Sequence, residues 1–393
     1  MKTLFKLFFS LISTVLVASI VASVYEVPVP DVLQVMAAIS LVLFAIRIVA
    51  LAKNPADAGR VSGLTYGVAV EFWESVIAEF IMKDYPWLRR AKDRSGNVLN
   101  GSVIHIPQAG GLPGAVRNRK NFPAPIVRRA DSDLTYVLDE VSTNPTHIRD
   151  AEKIELTYDK VASVLSDHIK NLDFLSAYNV LFRWAGKNPA AGGVTPADLP
   201  AANIRRTSGT TAATHLSGAT GNRKIFNLAD FNAAKTTLIN LTKREQNAGK
   251  RAIFMDETLY NQLKADTNLD TFDKREMQGV VMQNGDMVRI GGLDIIRTDV
   301  MPRFSNVTTP VAKDPLTDAD SGIPYSASFA TTDNACALLV DFDLVHIAMG
   351  DIKLFETLGS ADYQGDIYSA LVRVGASRER ADATGVVAIV QEP

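Results

Sequence analysis

The chain has 393 residues, 47% of them hydrophobic and 21% charged, and its 41 basic and 43 acidic residues give a formal net charge of -2. This length exceeds what one hydrophobic core usually serves, so we expect two or more lobes, and the composition excludes a globally disordered chain. The charge balance argues against a dedicated nucleic-acid binder, and the single cysteine excludes an intramolecular disulfide and a cysteine-rich metal site.

Residues 1–53 form an apolar N-terminal extension. No charged residue lies between Leu7 and Tyr25, and a second apolar run covers residues 32–46. Each run approaches the roughly 20 residues that cross a bilayer as a helix. The first run, which follows Lys2 and Lys6, also resembles a signal peptide. Three interpretations stay open: a membrane-seeking helical hairpin, a removable leader, and an apolar helical arm buried between subunits.

Residues 54–94 are predicted to form an arm with an amphipathic helix. Val68, Phe72, Val76 and Phe80 recur every four residues and so share one helical face. Tyr85 and Pro86 end this helix, because proline disfavours the helical conformation of the residue before it. An amphipathic helix of this kind must cover another surface.

Residues 95–145 are predicted to form an extended two-stranded loop. Residues 102–106 and 134–138 are β-prone, and the segment between them is rich in glycine and proline. Two strands of this kind cannot bury enough surface to be stable alone. The loop therefore needs a partner surface, in its own chain or in another, and we expect it to find most of its stability on another copy.

A cluster of basic residues lies on this loop without an acidic residue among them. Its members are Arg117, Arg119, Lys120, Arg128 and Arg129. Three interpretations are open: intersubunit docking onto an acidic surface of a neighbouring copy, a solvated loop, and contact with nucleic acid. Arginine suits docking, because its planar guanidinium pairs bidentately with carboxylates.

Residues 146–226 are predicted to contain a long helix followed by a flexible loop. Val161, Leu165 and Ile169 begin a helical apolar spacing over residues 151–185, and Gly186 supplies a stop. Acidic residues near the start of this helix are expected to offset the helix dipole. Residues 188–224 have a loop-like composition with few apolar side chains.

Residues 227–340 and 341–393 are predicted to mix helices and strands without regular alternation, which indicates an α+β fold. The first part should hold a helix over residues 228–246 that is closed by Gly249. The remaining predicted elements are a helix over residues 257–264 and strands over residues 252–255, 293–297, 336–340, 344–349, 367–374 and 386–390.

The sequence offers no pattern for chemistry. None of the five histidines stands four residues from another, so the helical zinc-protease motif is absent. Residues 218–224 lack the glycine spacing of a phosphate-binding loop. Cys336 lies between alanines and is expected to be a small buried residue. We therefore expect no catalytic, cofactor-binding or metal site, and a protein that is not an enzyme.

The order of these elements resembles the Hong Kong 97-type coat fold of tailed-phage major capsid proteins and encapsulins, over residues 67–391. The local sequence is also similar to phage capsid sequences of the crAss-like or a related group. The segments that carry this resemblance are residues 101–110, 154–160, 254–260, 291–298, 365–375 and 385–390.

The resemblance implies a role for each part of the chain. Residues 95–145 would be the extended loop that lies over an adjacent subunit, and residues 151–185 the spine helix of a peripheral domain. Residues 227–340 would form an axial domain that meets its neighbours around capsomer axes, and residues 341–393 would close the peripheral domain. The apolar extension departs from the charged scaffolding segment that many relatives carry at this end.

The implied function is self-assembly into an icosahedral shell that encloses double-stranded DNA. The implied partners are other copies in hexameric and pentameric capsomers, packaged DNA by non-specific proximity, portal and decoration proteins, and a membrane contacted by the extension. The implied location is the virion, with assembly in the host cytoplasm, at the membrane if the extension binds it. Two alternatives stay open: an encapsulin-like protein compartment, and a membrane-anchored or exported host protein.

Overall fold

The computed structural model describes residues 84–99, 103–108, 110, 115–120, 122–123, 126, 128–129, 131–150, 160–188, 194–243, 250–313 and 330–393. All of them belong to one compact unit, Glu74–Pro393. The apolar extension and the amphipathic helix predicted before residue 84 lie outside the described residues. Among the helices that the structure does describe, none has the length and apolar character that a membrane span requires.

Helices and strands occur in runs, as an α+β fold requires. The helices are α1 (Lys160–Ala185), α2 (Leu228–Thr242), α3 (Glu257–Lys264) and α4 (Phe272–Met277). The strands are β1 (Lys92–Asp93), β2 (Val98–Leu99), β3 (Val103–Gln108), β4 (Ser132–Val137), β5 (Asp139–Ser142), β6 (Thr146–Arg149), β7 (Ile204–Arg206), β8 (Thr211–Ala213), β9 (Asn222–Lys224), β10 (Arg251–Met255), β11 (Val281–Gln283), β12 (Asp286–Ile290), β13 (Leu293–Arg297), β14 (Arg303–Phe304), β15 (Ala312–Lys313), β16 (Cys336–Asp341), β17 (Val345–Ser360), β18 (Gly365–Arg378) and β19 (Val386–Val390).

One sheet is built around the long antiparallel hairpin of β17 and β18, with 16 and 14 residues. The strand order is β1-β17-β18-β5, and β6 also pairs with β18. Helix α1 packs on β18 and buries Leu172, Val180 and Leu181 completely. The hairpin is longer than the predicted strands at residues 344–349 and 367–374. In the outer half of β17, exposed residues mostly alternate with partly buried ones. Backbone hydrogen bonds between β17 and β18 continue there, so the hairpin extends beyond the apolar residues on which the prediction rests.

A second sheet of seven strands has the order β11-β12-β13-β10-β16-β19-β7. Every residue of β10, β16 and β19 is buried, because both faces of these central strands are covered. Phe231 and Leu238 of α2 and Leu259 of α3 contribute to the core on this sheet. The predicted bounds of α3, β13 and β19 are confirmed.

This sheet differs from three sequence expectations. The sequence predicts that residues 386–390 belong with the other strands of residues 341–393, but β19 pairs with β16, because its continuous apolar run suits a strand covered on both faces. The expected loop over residues 188–224 contains β7, which pairs in parallel with β19, and the β8–β9 hairpin. Helix α2 ends at Thr242, and its C-cap Lys243 has a left-handed φ of 48°, before the predicted stop at Gly249.

The predicted two-stranded loop is present, and β3 and β4 pair antiparallel along six residues each. Ile104, Leu134 and Tyr136 are fully buried in a cluster with Leu138 and Ala348 of the same chain. The expectation that the loop depends on another copy is therefore wrong for its base, which packs on the β17–β18 hairpin. The sequence could not show this, because the partner residues lie more than 200 positions away.

Gly365 is predicted to tolerate no side chain. A Cβ atom at this position would collide with the carbonyl oxygen of Ile148 and with Cα of Arg149, where β18 pairs with β6. We expect Gly365→Ala to lower the free energy of unfolding by about 1–3 kcal/mol, because the backbone of β6 must move to make room. Chemical denaturation of the unassembled chain measures this change.

Gly96→Ala is the matched control, since a Cβ atom at Gly96 would meet no other atom within 4 Å. We expect this variant to change the free energy of unfolding by less than about 0.5 kcal/mol. Equal effects of the two substitutions would contradict the tight contact at Gly365.

Candidate assembly surfaces

The basic cluster predicted from the sequence lies on the excursion between β3 and β4. We call its described residues, 115–120, 122–123, 126 and 128–129, the basic tip. Arg117, Lys120, Arg128 and Arg129 are exposed, and Arg119 is partly buried. Within the described residues, Arg117, Arg119, Lys120 and Arg128 form no ion pair. In the part of the chain that the structure describes, these four cations are thus at least partly exposed and have no carboxylate partner.

Arg129 differs from the other four, because it is paired within its own chain. Its Nε atom lies 2.6 Å from Oδ1 of Asp131, which also accepts a hydrogen bond from the backbone N–H of Gly110. The Arg129 hydrogen bond, and then that of Gly110, hold the pKa of Asp131 below its ordinary value. The docking role of the five residues stays a prediction, and Arg129 also pairs with Asp131 in its own chain.

Apolar side chains stand exposed among these cations. Ile126 is 100% exposed, Phe122 is 76% exposed and Val116 is 61% exposed. Large apolar side chains clustered on a surface mark an interaction site. A signal for their exposure is present in the sequence, because apolar residues in a segment rich in glycine and proline have few neighbouring side chains to cover them.

The base of the excursion is anchored by a buried ion pair. Arg183 of α1 donates from Nε and Nη2 to the two carboxylate oxygens of Asp139 in β5, at 2.8 and 2.7 Å. Their side chains are 2% and 8% exposed. Asn179 donates a further hydrogen bond to Asp139 at 2.8 Å. This network fixes α1 against the strand that directly follows the β3–β4 hairpin.

A buried histidine lies beneath the same hairpin. His346 in β17 is fully buried, with Nδ1 3.0 Å from the hydroxyl of Tyr136 in β4. The indole N–H of Trp184 in α1 donates to the His346 carbonyl at 3.2 Å. Burial, together with the positive charge of Arg94, lowers the pKa of His346 to about 3. The imidazole is therefore neutral at physiological pH.

Side chains that could bind a metal ion or act as a nucleophile were sought among the histidine, cysteine and acidic residues. Within the described residues, no group of three or more histidine, cysteine or acidic side chains could hold a metal ion. Cys336 is buried as predicted, its thiol donates to the carbonyl of Pro302 at 3.1 Å, and burial raises its pKa well above the ordinary value.

No protein-family model and no curated protein matches the chain. Among solved structures, the capsid of Ralstonia phage GP4 is similar with a TM-score of 0.52 and 11% identity, over 77% of this chain and 87% of that chain. The capsid of cyanophage P-SCSP1u has a TM-score of 0.49 and 17% identity, over 76% and 86%. The capsid of an empty GTA particle has a TM-score of 0.48 and 13% identity, over 77% and 88%.

This architecture defines a class of α+β folds in which the β3–β4 loop, helix α1, most strands of the second sheet and the β17–β18 hairpin follow one another along the chain. Within that class, the likeness to the Ralstonia phage GP4 capsid shows that this chain has the Hong Kong 97-type coat fold predicted from its sequence. The encapsulin alternative is not favoured by these similarities.

Proposed function

We propose that this chain is a major capsid protein that self-assembles into an icosahedral shell enclosing double-stranded DNA. The observation that carries the proposal is the shared fold with the capsid of Ralstonia phage GP4 over 77% of this chain. The basic tip supports it, because exposed cations and exposed apolar side chains on one excursion suit contact with another copy. Closed symmetry lets many such modest contacts add up around a shell.

The role is structural, and the virion is the place where the chain acts. The near-neutral charge of -2 suits a wall beside DNA that it does not grip. Hexameric and pentameric capsomers, portal and decoration proteins, and contact of residues 1–53 with a membrane during assembly belong to the same proposal.

Expression of the full chain followed by negative-stain microscopy tests the proposal. We expect closed shells of uniform diameter in the fraction that sediments faster than the free chain. A chain that fractionates with membranes as a monomer, without particles, would contradict the proposal and favour an anchored host protein. Shells that contain a specific protein cargo and no DNA when purified from infected cells would contradict the DNA-enclosing role.

Charge reversal in the basic tip is predicted to stop assembly. Arg117→Glu combined with Arg128→Glu replaces with anions two cations that form no ion pair among the described residues, and like charges across an interface cost several kcal/mol. We expect the yield of shells to fall at least about tenfold while the chain stays folded, because neither side chain contributes to the described core. Sedimentation measures the yield, and circular dichroism checks the fold.

The matched control reverses Lys170 and Lys243, which are exposed on or beside helices outside the tip. This variant carries the same charge change and is expected to form shells at the normal yield. If both double variants assemble equally well, the basic tip has no role in assembly.

A further inference from the structure

An open cleft of about 870 Å³ is lined by residues 84–87 and Arg90 and by part of the second sheet. Its other walls come from the carboxyl end of β13 and the residues that follow it, and from Asp256 and the start of α3. Its lining contains both polar and apolar side chains, with Ile295, Pro86 and Trp87 supplying apolar surface. No role described above uses this cleft.

The cleft has an excess of acidic side chains. Its two arginines are already paired within the chain: Arg90 with Asp294 at 2.7 Å, and Arg297 with Asp286 at 2.9 Å. Asp84 and Asp299 also line the cleft and, among the described residues, neither forms an ion pair. These carboxylates leave a negative field at the cleft that a cation from outside would neutralise.

Tyr85 lies within this field. Its hydroxyl donates to Asp299 across 3.5 Å. Burial, and then the negative charges of Asp299, Asp173 and Asp84, raise the pKa of Tyr85 to about 12. The negative charges of these acidic side chains therefore add up at the hydroxyl of Tyr85.

Trp87 forms part of the floor of the cleft. Its side chain lines the cleft and is packed edge-on against Phe254 at 4.9 Å and Trp184 at 5.8 Å between ring centroids. The residue is only 5% exposed, and its indole N–H is buried without a hydrogen-bond acceptor among the described residues. Trp87 therefore offers the cleft a rigid apolar surface against which an exposed apolar side chain can pack.

The chain itself carries a surface that complements this cleft. Residues 115–129 contain five basic residues and no acidic one. Arg117 and Arg128 have no carboxylate partner among the described residues, and Phe122 and Ile126 are exposed beside them. Cations would meet Asp84 and Asp299, and apolar side chains would meet the apolar walls. The tip and the cleft are different surfaces, so their contact is heterologous and can repeat from one copy to the next, forming a ring where the rotation closes.

We propose that the acidic cleft is the receptor for the basic tip of a second copy of this chain. This inference rests on the proposed shell-forming function and names the surface on which the tip docks. Asp84 and Asp299 pair with arginines of the incoming tip, and the apolar side chains of the tip pack on the apolar walls of the cleft.

A charge-swap experiment on the full chain tests the docking. Asp84→Lys with Asp299→Lys is expected to reduce shell yield at least about tenfold, as Arg117→Glu with Arg128→Glu does. The chain carrying all four substitutions is expected to regain shells, since opposite charges face each other again. Asp84→Asn with Asp299→Asn is the milder variant for the case in which the lysines disturb folding, and it should reduce the yield in the same direction.

A binding measurement decides the question without shells. A synthetic peptide of residues 115–129 is titrated into the unassembled full chain, with a peptide whose arginines are replaced by glutamate as the control. The docking is supported if the peptide binds the natural chain, if its affinity for the chain with Asp84→Lys and Asp299→Lys is at least about tenfold lower, and if salt weakens the binding.

The two failures are distinguishable. A natural chain that forms no shells contradicts the proposed function, and the peptide titration then still decides the docking. The docking is overturned if shells form normally with the lysine and asparagine cleft variants. It is also overturned if the peptide binds the natural and the lysine-substituted chains equally. Neither result contradicts the proposed function. The chain with all four substitutions could stay unassembled while the natural peptide binds the natural cleft and the glutamate peptide binds the lysine-substituted cleft. In that case the defect lies in folding, and the peptide result still supports the docking.

Discussion

Arg183→Met is expected to lower the free energy of unfolding by about 3–5 kcal/mol, because it leaves the Asp139 carboxylate buried without its cation. Asp139 accepts both guanidinium hydrogen bonds, and its side chain is 8% exposed, so water cannot replace the lost partner. Chemical denaturation of the unassembled chain, followed by tryptophan fluorescence, measures the loss. Since α1 holds β5 through this pair, shell yield should fall as well.

Two further variants give the comparison its meaning. Arg380 pairs with Asp382 at 3.2 Å, but both side chains are more than half exposed, so Arg380→Met should cost at most about 1 kcal/mol. Arg183→Met combined with Asp139→Leu removes both buried charges and should recover much of the stability. A loss at Arg183 no larger than at Arg380 would refute the claim that this buried pair anchors the spine helix.

Acidification is expected to destabilise the fold through His346. Its pKa is lowered from 6.5 to about 3 in the folded chain, chiefly by burial, so the folded state favours the neutral imidazole. Between pH 6.5 and about 3, His346 is mostly protonated in the unfolded chain and mostly neutral in the folded chain. The stabilisation is therefore complete above pH 6.5 and is lost as pH falls toward the folded pKa, by on the order of 3 kcal/mol between pH 6.5 and about 4.

His346→Gln removes this titration while keeping polar atoms for the hydroxyl of Tyr136. We expect the free energy of unfolding of the variant to depend less steeply on pH between 6.5 and about 4, whatever its value at neutral pH. Carboxyl groups with lowered pKa values, such as Asp294, act below their ordinary pKa of 3.8. Asp198 and Glu356, whose pKa values are raised chiefly by burial, titrate closer to this window and stay unchanged in both chains. His168, whose burial also lowers its pKa, contributes in the same window and stays unchanged in both chains. Parallel pH profiles of the natural and substituted chains would contradict the role of His346.

Several elements could be predicted because their signals are local. The strands of residues 293–297 and 386–390 and the helix of residues 257–264 are short segments whose apolar spacing and flanking turns define them directly. Gly186 stops the long helix where expected, since the helix ends at Ala185. The β3–β4 pair could be inferred from two β-prone segments around a glycine- and proline-rich middle.

Other features depend on contacts between distant residues and could not be predicted. Arg183 and Asp139 are separated by 44 positions, and nothing in either segment marks them as partners. The acidic cleft combines Asp84 with Asp299, more than 200 positions apart. Arg129 belonged to the predicted cluster, and only the folded loop distinguishes it from Arg128 by placing Asp131 against it.

The sequence by itself determined the fold class, the order of the elements and the position of the basic tip, because periodicity, turn residues and local charge are properties of neighbouring residues. The tertiary structure decided which sheet each strand joins, that the base of the extended loop packs on its own chain, and which cations of the basic tip form no ion pair with the described residues. Burial and pairing are set by residues that folding brings together from distant positions, and hydrophobic spacing alone does not specify those partners.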